Sequence, residues 1–243
     1  VMMKEFLKMT CGNNYWFSQI LSILAGTTLF VLVFLYRGFN IPGRLVIMAF
    51  IPVFVLMINS LYVKDKTRFD KFSNLYTAVL YIAVPWSLLN FAVFGPDGEF
   101  NGLLLLSFFL IIWGSDVGAY IFGITLGQKY GKKLFPSISP KKSWEGFWGG
   151  LILCVISGAA IATWLTSYFN GPQLYGWIVL AAIVSIFSTW GDLCESLIKR
   201  SIGVKDSGKI LPGHGGILDR IDSLLLVSPT ALLFFTILEL ISK

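Results

Sequence analysis

Between Gly191 and Asp222 the chain gathers Asp192, Glu195, Asp206, Asp219 and Asp222, together with Lys199, Arg200, Lys205, Lys209 and Arg220. The same stretch holds the only histidine, His214, and glycines at 203, 208, 213, 215 and 216. Carboxylates are hard oxygen donors, and Mg²⁺ typically takes one or two of them and completes its shell with phosphate oxygens and water. Glycines let backbone N–H groups approach phosphate oxygens, and lysines supply point charges. Residues of these types, crowded between two apolar segments, suit the handling of a metal-bound polyphosphate. An ordinary connection between apolar segments has no need of them.

Spacing divides the stretch into two acidic walls. If the sixth apolar segment continues as a helix through Gly191–Arg200, then Asp192, Glu195, Ser196 and Lys199 stand at i, i+3, i+4 and i+7 and share a face. A solvated helix end with an acid-to-base pair explains the same pattern. Asp219 and Asp222 are three apart at the start of the seventh segment, with Arg220 between them. Carboxylates in a first turn also complement the helix dipole. Two Asp-bearing helix ends on one vestibule can share a divalent cation, so Asp192 and Asp219 are the expected metal ligands, with Asp222 close by. The loop between them carries Lys205 and Lys209 and is not a Walker A loop, since GxxxxGK[ST] occurs nowhere in the chain. For His214, a structural and a functional role both remain open.

Two further places carry the same chemistry. SPKKSWEG, residues 139–146, presents Lys141 and Lys142 just ahead of an apolar segment, with Ser143 and Glu145 placed to cap a helix. Asp116 lies inside the fourth apolar segment, in WGSDVGAY. An ionisable group at membrane depth is costly and is expected to face the bundle interior, where a hydrogen bond to a neighbouring helix would be its structural role. Gly114, Ser115, Gly118 and Ala119 beside it permit close helix packing.

The elements that position these groups follow from composition. Of 243 residues, 56% are hydrophobic and 13% charged, against about 25% charged in soluble domains. The apolar runs are continuous and do not alternate, which excludes a membrane β-barrel. The expected fold is all-α, a polytopic membrane bundle with helices near 18–36, 44–63, 73–94, 102–124, 146–165, 174–191 and 221–241. Residues 1–17 read as an interfacial or connecting helix. Sixteen of the nineteen Lys and Arg residues fall between alternate segments, so the positive-inside rule places the N-terminus inside, the C-terminus outside and the 192–220 loop in the cytoplasm. That segregation explains the net charge of +6 without nucleic acid as a partner.

Pro52 and Pro85 fall within segments and are expected to kink them. Trp16, Tyr36, Tyr62, Trp164 and Tyr168 read as interfacial anchors. Cys11, Cys154 and Cys194 have no CxxC spacing and read as small core residues. No internal repeat is found, which weakens a transporter built from inverted halves. The chain is expected to divide into N-terminal helices, 1–101, and a catalytic membrane domain, 102–243.

The segment Ser196–Asp222 resembles the signature of the CDP-diacylglycerol synthases, or phosphatidate cytidylyltransferases. It runs Ser, two residues, Lys-Arg, four residues, Lys-Asp, then Pro, one residue, His-Gly-Gly, two residues, Asp-Arg, one residue, Asp, with every position filled. The GDL before it, DVGAY at Asp116–Tyr120 and SPKKSWEG extend the similarity over roughly 102–243. The resemblance implies formation of CDP-diacylglycerol and pyrophosphate from CTP and phosphatidic acid, dependent on Mg²⁺ with a second cation left open. It implies a homodimer in the membrane, the inner (plasma) membrane in a bacterium, with a cytoplasmic active site. Carried over by position, Asp192 and Asp219 are metal ligands supported by Asp222. Lys199, Arg200, Asp206 and His214 complete the catalytic set. Ser196, Lys205 and Arg220 would line the substrate site, and Lys209, Lys141, Lys142, Ser143, Asp116, Gly215 and Gly216 are further expected substrate-binding residues. Members of the family usually carry further apolar spans upstream. Two rival readings are a CTP-dependent lipid kinase, which would release CDP, and an ion-coupled transporter using Asp116 and Asp192 as a relay. A non-catalytic scaffold leaves the one-sided charge unexplained.

Overall fold

The computed structural model describes residues 1–63, 69–95, 97–165, 173–213 and 215–241, without the side chains of 69–71. His214 and Tyr168 lie outside the described residues, as do the basic side chains between 64 and 72 that count toward the charge segregation. Among the described residues seven helices are long and apolar enough to cross a membrane: Trp16–Phe39, Gly43–Leu61, Phe72–Val93, Gly102–Gly127, Trp144–Trp164, Leu174–Ser201 and Leu218–Ile241. They match the seven expected segments within a few residues at most ends, and the chain is an integral membrane protein. The sixth runs on to Ser201, so the Asp192 region is helical as its spacing predicts. The seventh starts at Leu218, which takes Asp219 into its first turn.

In chain order the helices are α1 (Met2–Cys11), α2 (Trp16–Phe39), α3 (Phe50–Leu61), α4 (Phe69–Ala78), α5 (Val84–Val93) and α6 (Gly102–Phe122), then strands β1 (Lys133–Phe135) and β2 (Ser139–Ser143), and α7 (Trp144–Trp164), α8 (Leu174–Ser201) and α9 (Leu218–Ile241). A 3₁₀ segment, Gly43–Ala49, leads into α3, and π-type turns occupy Val79–Ala83 and Gly123–Gly127. Pro52 and Pro85 both sit in first turns, of α3 and α5, where a missing N–H costs little. The winding changes upstream of each proline, 3₁₀ ahead of Pro52 and π ahead of Pro85. Pro229 lies inside α9.

The chain forms two compact units, Val1–Phe100 with Ser201–Ile221, and Asn101–Arg200 with Asp222–Lys243. In the first, α1 is amphipathic and buries Met3, Phe6, Leu7 and Cys11, while Leu56, Leu75, Ala78 and Ile82 supply core from α3, α4 and the turn after it. Ser22 Oγ donates to Leu75 O at 2.7 Å and Asn59 Nδ2 to Ser18 Oγ at 2.6 Å, so two polar groups within the apolar spans find partners.

The second unit rests on glycine-mediated approach. A side chain at Gly118 of α6 would collide with the backbone of Gly149 and Gly150 on α7, and one at Gly150 would stand 2.9 Å from Ser115 O. Small residues four apart let helix backbones meet in a membrane. Ser115 and Ser185 hydroxyls join α6 to α8 at 2.9 Å, and Cys154 Sγ donates to Ala181 O at 3.0 Å. Phe108 meets Phe235 of α9 edge-on at 6.1 Å.

One departure from the all-helical expectation lies ahead of α7. Residues read as a loop form an antiparallel hairpin in which Lys133 faces Ser143 and Phe135 faces Ser139, with a bulge between. Pro140 cannot donate to a ladder and is tolerated in this short edge strand. Trp144 N donates to Lys132 O at 3.0 Å and closes the hairpin onto the start of α7.

Candidate active site

In the second unit the carboxylates converge from three helices. Gly191 lets α8 approach α9 so closely that a side chain there would stand 2.9 Å from Asp222 O. That contact sets the neighbouring Asp192 beside Asp222, and the two carboxylates repel one another. Asp116 of α6 lies within electrostatic range of both of them and of Lys142. Asp116 is exposed, so it does not face the bundle interior as expected; the charged groups of α8, α9 and the hairpin near it give it an electrostatic environment on that surface instead.

Lys142 Nζ lies 2.6 Å from Asp192 Oδ2. The hairpin therefore carries one of its three lysines to the carboxylates, while Lys141 and Lys133 remain exposed. Ser196 Oγ donates to Asp192 Oδ1 at 3.2 Å, as their i, i+4 spacing predicts. One turn on, Glu195 is 1% exposed and its Oε1 is 3.3 Å from Nζ of Lys199, itself 9% exposed. The face predicted from spacing thus exists, but its lower half is a buried ion pair. A solvated helix end does not describe it.

Asp222 is 8% exposed and its Oδ1 accepts from Ser223 N at 2.7 Å. Arg200 Nε donates to Ile138 O at 3.3 Å, tying the end of α8 to the hairpin turn. Ser143 caps α7 as expected, its Oγ accepting from Gly146 N at 3.2 Å. Glu145 takes a different partner and accepts from Lys132 N at 3.3 Å, because the hairpin brings that amide closer than the N-cap backbone.

The first unit holds the signature loop. Asp219 Oδ2 accepts from Ser207 N at 2.9 Å, Ser207 Oγ at 2.9 Å and Gly216 N at 2.8 Å, and Oδ1 lies 3.1 Å from Ser207 N. The carboxylate expected on a metal therefore also folds the loop. Gly215 has φ +83°, and a side chain there would stand 2.6 Å from Asp219 Oδ2; glycine is required on both counts. Leu211 N donates to Gly215 O at 3.0 Å and closes the turn between them. Lys205, Asp206, Lys209 and Arg220 are exposed around this loop, and His214 lies outside the described residues.

Two contributors escaped the sequence reading. Ser207 has no periodicity to mark it. Glu5 accepts from Ile217 N at 3.1 Å and Leu218 N at 2.9 Å; its only signal was an acid beside Phe6 and Leu7 on the apolar face of an amphipathic helix.

As to metal, the donors available in the second unit are carboxylate oxygens, which fit a hard divalent cation. Among the described residues no three His, Cys, Asp or Glu side chains are grouped closely enough to hold an ion by themselves. A Mg²⁺ bound there would complete its shell with phosphate oxygens and water, its usual habit.

The sequence model of the "Cytidylyltransferase family" matches residues 1–238. Proteins named phosphatidate cytidylyltransferase are similar: that of Staphylococcus aureus (strain COL) is 43% identical over 162 residues, 66% of this chain and 59% of the relative. That of Staphylococcus epidermidis (strain ATCC 12228 / FDA PCI 1200) is 39% identical over 160 residues with the same coverage. That of Staphylococcus haemolyticus (strain JCSC1435) is 43% identical over 162 residues, again 66% and 59%. The match thus spans less than two thirds of the length of these relatives.

Proposed function

The chain belongs to the cytidylyltransferase family, and on that premise we propose that it is a phosphatidate cytidylyltransferase, joining CTP to phosphatidic acid to give CDP-diacylglycerol and pyrophosphate. An oxygen of the phosphatidate monoester attacks the α-phosphorus of CTP, and the bond from that phosphorus to the bridging oxygen breaks. The leaving pyrophosphate takes the electron pair. A phosphate monoester has a second pKa of about 6, so the nucleophile is already ionised near neutral pH and no strong base is needed. His214 need not act as one.

The observation that carries this reading is the meeting of Asp116, Asp192 and Asp222 with Lys142 in the second unit. Charge repulsion between two anionic substrates is the barrier, and positioning with electrostatic stabilisation dominates such transfers. Asp192 and Asp222 would hold Mg²⁺, which when bound supplies Lewis-acid neutralisation of the triphosphate. The family signature alone assigns a metal-ligand role to Asp219, besides its part in folding the loop of the first unit. Lys142 and Lys199 stand close to carboxylates and provide the cationic counterpart. Lys205, Lys209 and Arg220 are exposed and are suited to receive phosphates from water.

The lipid accounts for the membrane helices. Phosphatidic acid keeps its acyl chains in the bilayer with its phosphate at headgroup level, so a site on charged ends of membrane helices serves both substrates. We place that side in the cytoplasm, in the inner membrane of a bacterium, and take the working unit as a homodimer.

The deciding experiment uses protein in lipid vesicles with phosphatidic acid, Mg²⁺ and CTP labelled at the α-phosphate. Label extracted into the lipid phase supports the reading; label that stays in water rejects it. A parallel sample labelled at the γ-phosphate detects a lipid kinase.

A further inference from the structure

Helix α9 begins without an N-cap of its own. Ser, Thr, Asp or Asn normally precedes a helix and accepts from its first free amides, but here Gly216 and Ile217 stand in that place. The acceptor comes instead from α1. Glu5 Oε1 takes Ile217 N at 3.1 Å and Oε2 takes Leu218 N at 2.9 Å, across sequence separations of 212 and 213 residues.

Glu5 is 6% exposed, and an acid that buried requires such partners. The loop is fitted to it. A side chain at Gly208 would stand 2.8 Å from Glu5 Oε1, and one at Gly216 would stand 2.9 Å from the same atom. These two glycines, which the sequence suggests are open to phosphate, are instead closed upon this carboxylate.

We propose that Glu5 is a positioning residue for the signature loop, its carboxylate capping α9 from a separate helix and so fixing the loop from Ser207 to Leu218. It acts through Asp219. Gly216 N donates to Asp219 Oδ2 at 2.8 Å, and the next two amides donate to Glu5, so three successive amides are held by two acids. When the Glu5 bonds are lost, Gly216 is no longer fixed from behind, and the Ser207–Asp219 clamp loosens with it. Exposed Lys205 and Lys209 then lose their common frame, which weakens capture of the triphosphate more than it slows the chemical step. This part of the inference rests on the cytidylyltransferase reading; the ordering of the loop does not.

The test compares wild type with Glu5→Gln, Glu5→Asp and Glu5→Ala in vesicles, with Lys4→Gln on the exposed face of the same helix as control. Amide hydrogen exchange over 205–220 and KM for CTP against kcat are both measured. Glu5→Gln keeps the shape and one acceptor, so it remains informative if Glu5→Ala does not fold. The expected result for Glu5→Gln is roughly tenfold faster exchange at Ile217 and Leu218, as loss of one charge-assisted hydrogen bond implies. Exchange in α2 should not change. KM for CTP rises by a similar factor with a smaller change in kcat, and Lys4→Gln matches wild type. Unchanged exchange at those amides overturns the proposal, as does a uniform rise across α1 and α2 or a fall in kcat at constant KM. A wild type that transfers no cytidylyl group refutes the functional reading, and the exchange comparison still decides whether Glu5 orders the loop.

Discussion

An asparagine at Asp219 would present an amide group to Ser207 and Gly216, which already offer donors to the carboxylate. Hydrogen bonds to a charged group contribute about 1.5–3 kcal/mol each, so Asp219→Asn should unfold the loop locally as well as weaken any metal. The expected outcome is a loss of label transfer of at least about tenfold, with the protein still inserted in the membrane; near-normal turnover would remove Asp219 from both roles. Asp192→Asn tests the other wall. It leaves Ser196 a partner but takes the charge from Lys142, and removal of one positioned electrostatic group typically costs on the order of 10²–10³ in rate. Steady-state kinetics in vesicles should show the fall in kcat, and an unaltered kcat would count against the carboxylate group in the second unit. Asp192 and Ser196 were legible in the sequence because a helix repeats every 3.6 residues and brings i and i+4 together. The partners of Asp219 were not, since Ser207 lies in a loop without a period, and Glu5 was less so at a separation of 212 residues.

Elements were easier to read than their ends. Continuous apolar runs located all seven spans, because length and hydropathy alone define what can cross a bilayer. The hairpin was invisible, since three and five residues with a proline and three lysines carry no strand pattern. Yet the hairpin is what brings Lys142 to Asp192. Ser143 joins the hairpin to α7 as a cap that is 3% exposed, so Ser143→Ala should lower stability by about 1 kcal/mol and Ser143→Asp should restore it, as thermal unfolding in detergent would reveal. An alanine that leaves the unfolding temperature unmoved would contradict the cap. Gly118→Ala addresses the α6–α7 contact. The added methyl meets the backbone of α7, which cannot yield as a flexible side chain does. Overpacking of this kind costs about 1–3 kcal/mol, and the same unfolding measurement should show it.

At the scale of the whole molecule, the chain leaves the second unit at Arg200, contributes Ser201–Ile221 to the first, and returns at Asp222. The signature is thus shared between units that the sequence could not separate, because helices α8 and α9 run unbroken through both boundaries. What the sequence does carry is a direction. Sixteen of nineteen basic residues fall on one set of loops, and the cytoplasmic side of a membrane retains them. Residues at Ser201 and at Asp97 belong to opposite sets and are both exposed. With Cys11, Cys154 and Cys194 replaced by Ser or Ala, a single Ser201→Cys should react with a membrane-impermeant maleimide in inverted vesicles and be protected in right-side-out ones. Asp97→Cys should show the reverse. CTP cannot cross the bilayer unaided, so on the proposed function Ser201→Cys should react from the side that holds CTP. Labelling of both positions from one side would overturn the orientation. Labelling of Ser201→Cys only from outside would leave the carboxylates without access to the proposed substrate.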